Sequence, residues 1–307
     1  MPTDLTHERA IASGAATKTY GAVRAVDGID LTVRRGETVA LLGRNGAGKS
    51  STVSLLLGLD EADSGHVALF GGAPALAVAA GRVGAMLQEG QATPRVTVRE
   101  VVSFVARTYP APMPVAEALA LAGLTGFAER RGAGRAGGAA LGGRLASALV
   151  ATPALLAPAA PRAALDVAAR QGFWEAMHGY ARRGNTVLFS THYLEEADAY
   201  ADRIVVLDAG RIVADGTGEE LKRAAGGTLV SFDLAGSPTE WLMTLPGVTS
   251  VEVRKDRARL RTEDSDATVR ALAARDAIRS LEVTRASLND AFLSLSHRTG
   301  ERLETAR

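Results

Sequence analysis

A glycine-rich run from Gly43 to Ser50 constrains the fold of this chain more than any other feature. It fits the pattern G-x-x-x-x-G-K-[ST], and it lies between a short apolar run at Val39–Leu42 and a helical pattern at Lys49–Gly58. A strand, a glycine-rich turn and a helix in this order let backbone amides and a helix N-terminus surround a phosphate group. The sequence therefore predicts a nucleotide-binding loop in an α/β domain.

Each position of this loop has an expected task. Glycines let the backbone approach the phosphates without a Cβ clash. The ammonium group of Lys49 is expected to reach the β- and γ-phosphates, the hydroxyl of Ser50 to ligate Mg²⁺, and Ser51 to contact the α-phosphate. The residues expected to bind ATP here are Gly43, Asn45, Gly46, Ala47, Gly48, Lys49, Ser50 and Ser51.

Short apolar runs alternate with helical patterns through the first two thirds of the chain. The apolar runs are 83–87, 154–157 and 186–189, and the helical patterns are 98–108, 115–122 and 168–182. Runs of this length are typical of buried parallel strands, and the alternation predicts a largely parallel sheet. Residues 203–208 and 211–214 flank an Ala-Gly turn and predict a hairpin.

The pattern changes near Gly226–Gly227. Alternating segments predict strands at 229–234, 248–253 and 257–261, and helical patterns follow at 267–274 and 288–295. We therefore expect two domains, a large one at 1–225 and a small α+β domain at 226–307.

Composition excludes several classes of protein. The formal net charge of +1 gives no general attraction to nucleic acid, so no nucleic-acid partner is expected, and the lack of cysteine excludes thiolate catalysis. The stretch 145–161 is shorter than the roughly 20 apolar residues of a spanning helix, and three prolines interrupt it. We interpret it as a helix end followed by a buried strand, and the chain is not expected to cross a membrane.

Several short motifs occur in a fixed order around this loop. Tyr20 precedes it in Thr-Lys-Thr-Tyr-Gly, and Gln88 follows it in Met-Leu-Gln-Glu. Asp166 lies in Ala-Leu-Asp, and His192 lies in Ser-Thr-His after an apolar run. Over residues 16–216 the sequence resembles the ATP-binding subunits of ABC transporters, in the branch of drug and antibiotic exporters. The tail at 286–295 resembles the small C-terminal domain of that branch.

The resemblance implies a P-loop NTPase fold with an antiparallel β subdomain and a helical subdomain, and a role for each motif residue. Tyr20 would stack on adenine, Gln88 would contact Mg²⁺ and the attacking water, His192 would bind the γ-phosphate, and Asp166 would be the D-loop aspartate. Other interpretations remain for the single residues: a half-buried aromatic, a solvated loop residue, a strand-end histidine and a helix cap, respectively.

Two motifs depart from the family pattern. The family has Asp-Glu-Pro after a hydrophobic strand, and Ala159 and Ala160 stand at the positions of the metal-organising Asp and the catalytic Glu. Alanine holds neither a metal-bound water nor a nucleophile. In the signature motif the serine is replaced by Ala136, while Gly137 and Gly138 are retained for contact with ATP. The sequence therefore predicts ATP binding with weak or absent hydrolysis.

The resemblance also implies partners. Such subunits close head to tail as homodimers or heterodimers, and they dock beneath a separate membrane permease at the cytoplasmic face of the plasma membrane. An intact partner ATPase would rescue one of the two sites only in part. The alternative is a non-hydrolysing regulatory or structural subunit of the same kind of complex. A soluble family member acting in translation or DNA repair is disfavoured by the single cassette and the near-neutral charge.

Overall fold

The computed structural model describes residues 9–86, 96–129, 137–158, 167–224, 228–234, 238–275, 279–285, 287–290 and 292. The chain divides into two compact units, Met1–Val213 and Ala214–Arg307. The residues predicted to act in the site that lie outside the described part are Gln88, Ala136, Ala159, Ala160 and Asp166. Most of the helical pattern at 288–295 lies outside it as well.

Strands and helices alternate in the first unit, and the second unit contains mostly strands. The strands are β1 (Arg9–Tyr20), β2 (Val23–Arg34), β3 (Thr38–Leu42), β4 (Ser64–Leu69), β5 (Val83–Met86), β6 (Leu155–Pro158), β7 (Thr186–Thr191), β8 (Arg203–Asp208), β9 (Arg211–Gly216), β10 (Thr228–Asp233), β11 (Val248–Arg254), β12 (Arg257–Thr262) and β13 (Glu282–Arg285). The helices are α1 (Lys49–Leu56), α2 (Pro74–Ala79), α3 (Val98–Ala106), α4 (Val115–Leu121), α5 (Gly137–Leu149), α6 (Val167–Ala181), α7 (Leu194–Tyr200), α8 (Gly218–Ala224) and α9 (Ser265–Ala273).

The central sheet has the strand order β5-β6-β7-β3-β8-β9. Strand β3 pairs in parallel with β7 and β8, and β6 pairs in parallel with β5 and β7. Every residue of β3 and β7 is buried, which is typical of parallel strands covered on both faces. The predicted strands and the hairpin of β8 and β9 are confirmed, with ends that differ by one or two residues.

Pro158 is the last residue of β6. It is aligned with Met86 of β5, whereas the residues of β6 that align with β7 are Leu155 and Leu156. A proline at the end of a strand removes a hydrogen-bond donor where the ladder is already ending. Pro158 is therefore accommodated at the carboxyl edge of the sheet.

Two smaller layers complete the first unit. They correspond to the antiparallel β subdomain and the helical subdomain that were expected from the resemblance. One is the antiparallel sheet β2-β1-β4. The other comprises α3, α4 and α5, whose shared core includes Val102, Leu119 and Ala146. Helix α3 begins with a capping box, because Thr97 accepts a hydrogen bond from the Glu100 amide and the Glu100 side chain accepts one from the Thr97 amide.

The second unit contains the antiparallel sheet β11-β12-β10-β13. Its core includes Phe232 and Leu260 of the sheet and Leu272 of α9, which are all fully buried. A small α+β fold was expected here. The expected boundary at 225/226 stays a prediction, although the two compact units meet at Val213 and Ala214.

Within the described part of the chain, each helix is too short or too polar to span a bilayer.

Candidate nucleotide-binding site

The predicted phosphate loop leaves the central sheet at the carboxyl ends of its parallel strands. Leu42, the last residue of β3, is aligned with Thr191, the last residue of β7. Gly43 and His192, which follow these two residues in the chain, therefore emerge next to each other at the same edge. Ligands of open α/β sheets bind at this edge.

The backbone of the loop has no room for side chains at two of its glycines. A Cβ on Gly43 would lie 2.5 Å from the carbonyl oxygen of Leu207, and a Cβ on Gly48 would lie 2.3 Å from that of Ala25. Gly48 also has a φ of 99°, and it caps the N-terminus of α1. The loop thus curves closely against β8 and β2 and leads directly into a helix, which is the shape that a phosphate cradle requires.

Lys49 lies across the inside of this loop. Its Nζ donates hydrogen bonds to the carbonyl oxygens of Gly43 at 2.7 Å and of Arg44 at 3.0 Å. The residue is only 9% exposed, and desolvation by burial lowers the pKa of its ammonium group. Among the residues that the structure describes, the hydrogen-bond partners of this buried cation are neutral carbonyl oxygens. Such a cation attracts an anion strongly, so the residues present fit a nucleotide phosphate.

The turn between β8 and β9 packs against the phosphate loop. The amide of Gly210 donates to the carbonyl oxygen of Ala47 at 3.1 Å, and the carbonyl oxygen of Gly210 accepts from the amide of Asp27 at 2.8 Å. The Asp27 carboxylate also pairs with Arg211 at 2.7 Å. These contacts anchor the loop to the hairpin, and they anchor the hairpin to β2. Asn45, Gly46 and Ser50 are exposed and accessible to a ligand.

Tyr20 ends β1 beside the start of α1, where it is 44% exposed. Its hydroxyl donates a hydrogen bond of 2.6 Å to Asp60, which follows α1. This bond is the main reason that the pKa of Tyr20 is raised, and a weaker hydrogen bond with Ser51 acts in the opposite direction. The structure therefore brings Tyr20 next to Ser51 of the phosphate loop. Sequence reasoning missed Asp60, because no local pattern relates residues that are 40 positions apart.

His192 is exposed and lies on the turn between β7 and α7. The turn is shaped by Thr191, whose Oγ1 accepts a hydrogen bond from the Tyr193 amide at 3.0 Å. Gly137 and Gly138, of the altered signature, begin helix α5. The roles expected for His192 and for these glycines stay predictions, as do those of the predicted residues outside the described part.

Comparison with known proteins identifies the family. A family described as "ABC transporter" matches residues 26–157, and one described as "ATP-binding protein DrrA1-3-like, C-terminal domain" matches residues 216–296. The daunorubicin/doxorubicin resistance ATP-binding protein DrrA of Streptomyces peucetius is 32% identical in an alignment of 305 positions that covers 94% of this chain and 92% of that protein. The chain belongs to the ATP-binding subunits of ABC transporters.

Other relatives of this ABC subunit are also named as ATP-binding proteins of export or resistance systems. The Nod factor export ATP-binding protein I of Mesorhizobium japonicum is 33% identical, over 95% of this chain and 88% of that protein. The linearmycin resistance ATP-binding protein LnrL of Bacillus subtilis is 30% identical, over 92% of this chain and 96% of that protein. The resemblance to the drug and antibiotic exporter branch is thus confirmed, and a nucleotide is the ligand that the family implies.

Solved structures confirm the fold. A nucleotide-free ATP-binding cassette from an ABC transporter matches with a TM-score of 0.61 and 22% identity, over 69% of this chain and 92% of that one. A dimeric cassette in a post-hydrolysis state, bound to ADP and Pi, matches with a TM-score of 0.61 and 23% identity, over 67% of this chain and 98% of that one.

Proposed function

We propose that this ABC subunit binds ATP and Mg²⁺ and couples ATP binding, with weak or absent hydrolysis, to export through a separate membrane permease. The observation that carries the proposal is the curved loop with the buried Lys49 at the carboxyl edge of the sheet. Lys49 would neutralise the terminal phosphates, and Ser50 would hold the metal ion, whose charge helps to offset that of the phosphates.

Weak hydrolysis is proposed because of the alanines at 159 and 160. Strand β6 ends at Pro158, immediately before these positions. Without the catalytic carboxylate, the general-base contribution of about 10²–10⁴-fold in rate is lost. The conversion of binding into motion then depends on a closed dimer that holds ATP more tightly than the open form does.

The partners follow from the family. We propose that two ATP-binding subunits, identical or different, close on ATP while docked to the permease at the cytoplasmic face of the plasma membrane. Residues 1–225 would form the ATPase domain and residues 226–307 an accessory domain. The boundary is supported by the end of the central sheet at Gly216 and by the start of the second sheet at Thr228.

A binding assay together with a rate assay tests the proposal. The purified chain is expected to bind ATP in the presence of Mg²⁺. With its permease in vesicles, the chain is expected to turn ATP over more slowly than about one per second. No measurable ATP affinity, or a faster turnover, would refute the proposal. Transport that stops when ATP is replaced by ADP supports export. A complex that ATP merely holds together, without transport, would favour the alternative of a regulatory or structural subunit.

Replacing Tyr20 tests the adenine contact. Stacking of an aromatic ring on a base is worth about 1–3 kcal/mol, so Tyr20→Ala is expected to weaken ATP binding by about tenfold. Tyr20→Phe keeps the ring and is expected to retain most of the affinity. Isothermal titration with ATP and with inorganic triphosphate separates a contact with the adenine from a contact with the phosphates, because triphosphate has no base. An equal loss for both ligands would place Tyr20 at the phosphates instead.

A further inference from the structure

The turn that carries His192 is attached to a buried carboxylate. Glu196 on α7 is 6% exposed. Its Oε2 accepts a hydrogen bond from Thr191 Oγ1 at 2.6 Å, and its Oε1 accepts one from Nε of Arg170 at 2.9 Å. Nη2 of Arg170 also lies 2.8 Å from Oε1. The carboxylate lies on the helix that follows the histidine turn, and it joins the last residue of β7 to helix α6.

The side chain of Tyr193 connects the same arginine to His192. The guanidinium carbon of Arg170 lies 4.6 Å from the centroid of the Tyr193 ring. The centroid of the His192 ring lies 4.0 Å from the centroid of the Tyr193 ring, with 37° between the ring planes. One side chain therefore contacts both the guanidinium group and the imidazole, and it links Arg170 to His192.

The three elements that carry this cluster are packed firmly together. The ring of Trp174 on α6 stacks on that of Tyr200 on α7, with centroids 4.5 Å apart and 6° between the planes. It also meets Phe189 of β7 edge-on at 4.8 Å. Helix α6 is therefore fixed against β7 and α7, and its Arg170 contacts the turn that carries His192 from a fixed position.

We propose that Arg170 and Glu196 are positioning residues, whose ion pair orients His192 toward the terminal phosphate of ATP. The pair is partly buried, since 7% of the Glu196 side chain and 35% of the Arg170 side chain are exposed. Desolvation of the Glu196 carboxylate offsets part of the attraction, so stability alone is a weak explanation for this pair. Its fixed, many-point geometry is better suited to setting an orientation. The inference rests on the proposed function, because it takes ATP as the ligand and His192 as a phosphate contact.

The test compares ATP with ADP, which differ only in the terminal phosphate. In the full-length chain with Mg²⁺, Glu196→Gln is expected to lower the ratio of ATP affinity to ADP affinity by about tenfold, the size of one lost charge-assisted hydrogen bond. The ADP affinity itself is expected to change by less than about twofold. His192→Ala should lower the ratio to the same extent, and the double variant should lower it no further.

A matched control is available on the same stretch of chain. Arg183, beyond the end of α6, forms an exposed ion pair with Glu117 at 3.8 Å. Arg183→Gln is expected to leave both affinities unchanged. Should Glu196→Gln fail to fold, Tyr193→Leu serves the same purpose, because it removes the connecting ring and keeps the ion pair of Arg170 with Glu196.

The outcomes separate the inference from the proposed function. An unchanged ratio in a folded Glu196→Gln or Tyr193→Leu chain would overturn the inference, as would additive losses in the double variant or an unchanged ratio in His192→Ala. In each case the wild-type chain would still bind ATP. A wild-type chain that binds neither nucleotide would overturn the proposed function, and the inference with it.

Discussion

Lys49→Ala is expected to reduce ATP affinity by about 100-fold or more. The ammonium group is buried, and its partners are two loop carbonyl oxygens, so it is placed to form charge-assisted bonds with phosphate oxygens. Such bonds are worth about 1.5–3 kcal/mol each, and two of them account for the expected loss. Calorimetric titration with ATP in the presence of Mg²⁺ measures the effect.

Thermal unfolding gives a second readout for Lys49→Ala. At about 100 times the dissociation constant, ATP should stabilise the wild-type chain by about 2.7 kcal/mol, and the variant should lose most of this gain. Arg44→Ala is the control, since Arg44 is an exposed cation of the same loop. It is expected to change ATP affinity by less than about threefold. Equal effects of the two substitutions would mean that general positive charge, and not the buried ammonium group, attracts the nucleotide.

The double substitution Ala159→Asp with Ala160→Glu is expected to raise the rate of ATP hydrolysis by about 100-fold or more. It restores the two carboxylates that the family has after the strand corresponding to β6. A general base alone contributes about 10²–10⁴-fold to the rate. Steady-state phosphate release, measured with the cognate permease present, reports the rate. ATP affinity should change little, because the phosphate loop is unaltered.

The matched control for this restoration is Ala159→Asn with Ala160→Gln. These side chains have nearly the same size as the carboxylates and cannot act as a base. The control is expected to remain at the rate of the unmodified chain. If the restored chain is equally slow, the carboxylates are not the limiting defect. The cause would then be the proline at 158 or the missing serine at 136, which Ala136→Ser would test.

The strands of the central sheet could be predicted because their signals are local. Parallel strands buried on both faces are continuous apolar runs, and the loop before α1 has a pattern of its own. Strands β1, β2 and β4 were not predicted. The pairing of β1 with β2 contains several register shifts, so neither strand has a regular alternation to detect. Helix α5 was also predicted only at its end, because its glycine-rich start weakens the helical pattern.

In the candidate site, too, some residues could be identified from local patterns and others could not. The phosphate loop, Tyr20 and His192 could be identified from short motifs in a fixed order. The bond from Tyr20 to Asp60 and the ion pair of Arg170 with Glu196 could not be predicted, since they join residues 40 and 26 positions apart. Side chains at such distances meet only when the sheet and its helices have formed.

By itself, the sequence determined the family, the kind of ligand and the loss of the two carboxylates. These depend on which side chains are present and on local spacing, and both are properties of the chain. The tertiary structure alone decided how the phosphate loop is supported and what surrounds Lys49 and His192. Burial and alignment arise when distant segments pack together, and they decide how strongly a charge or a hydrogen bond acts.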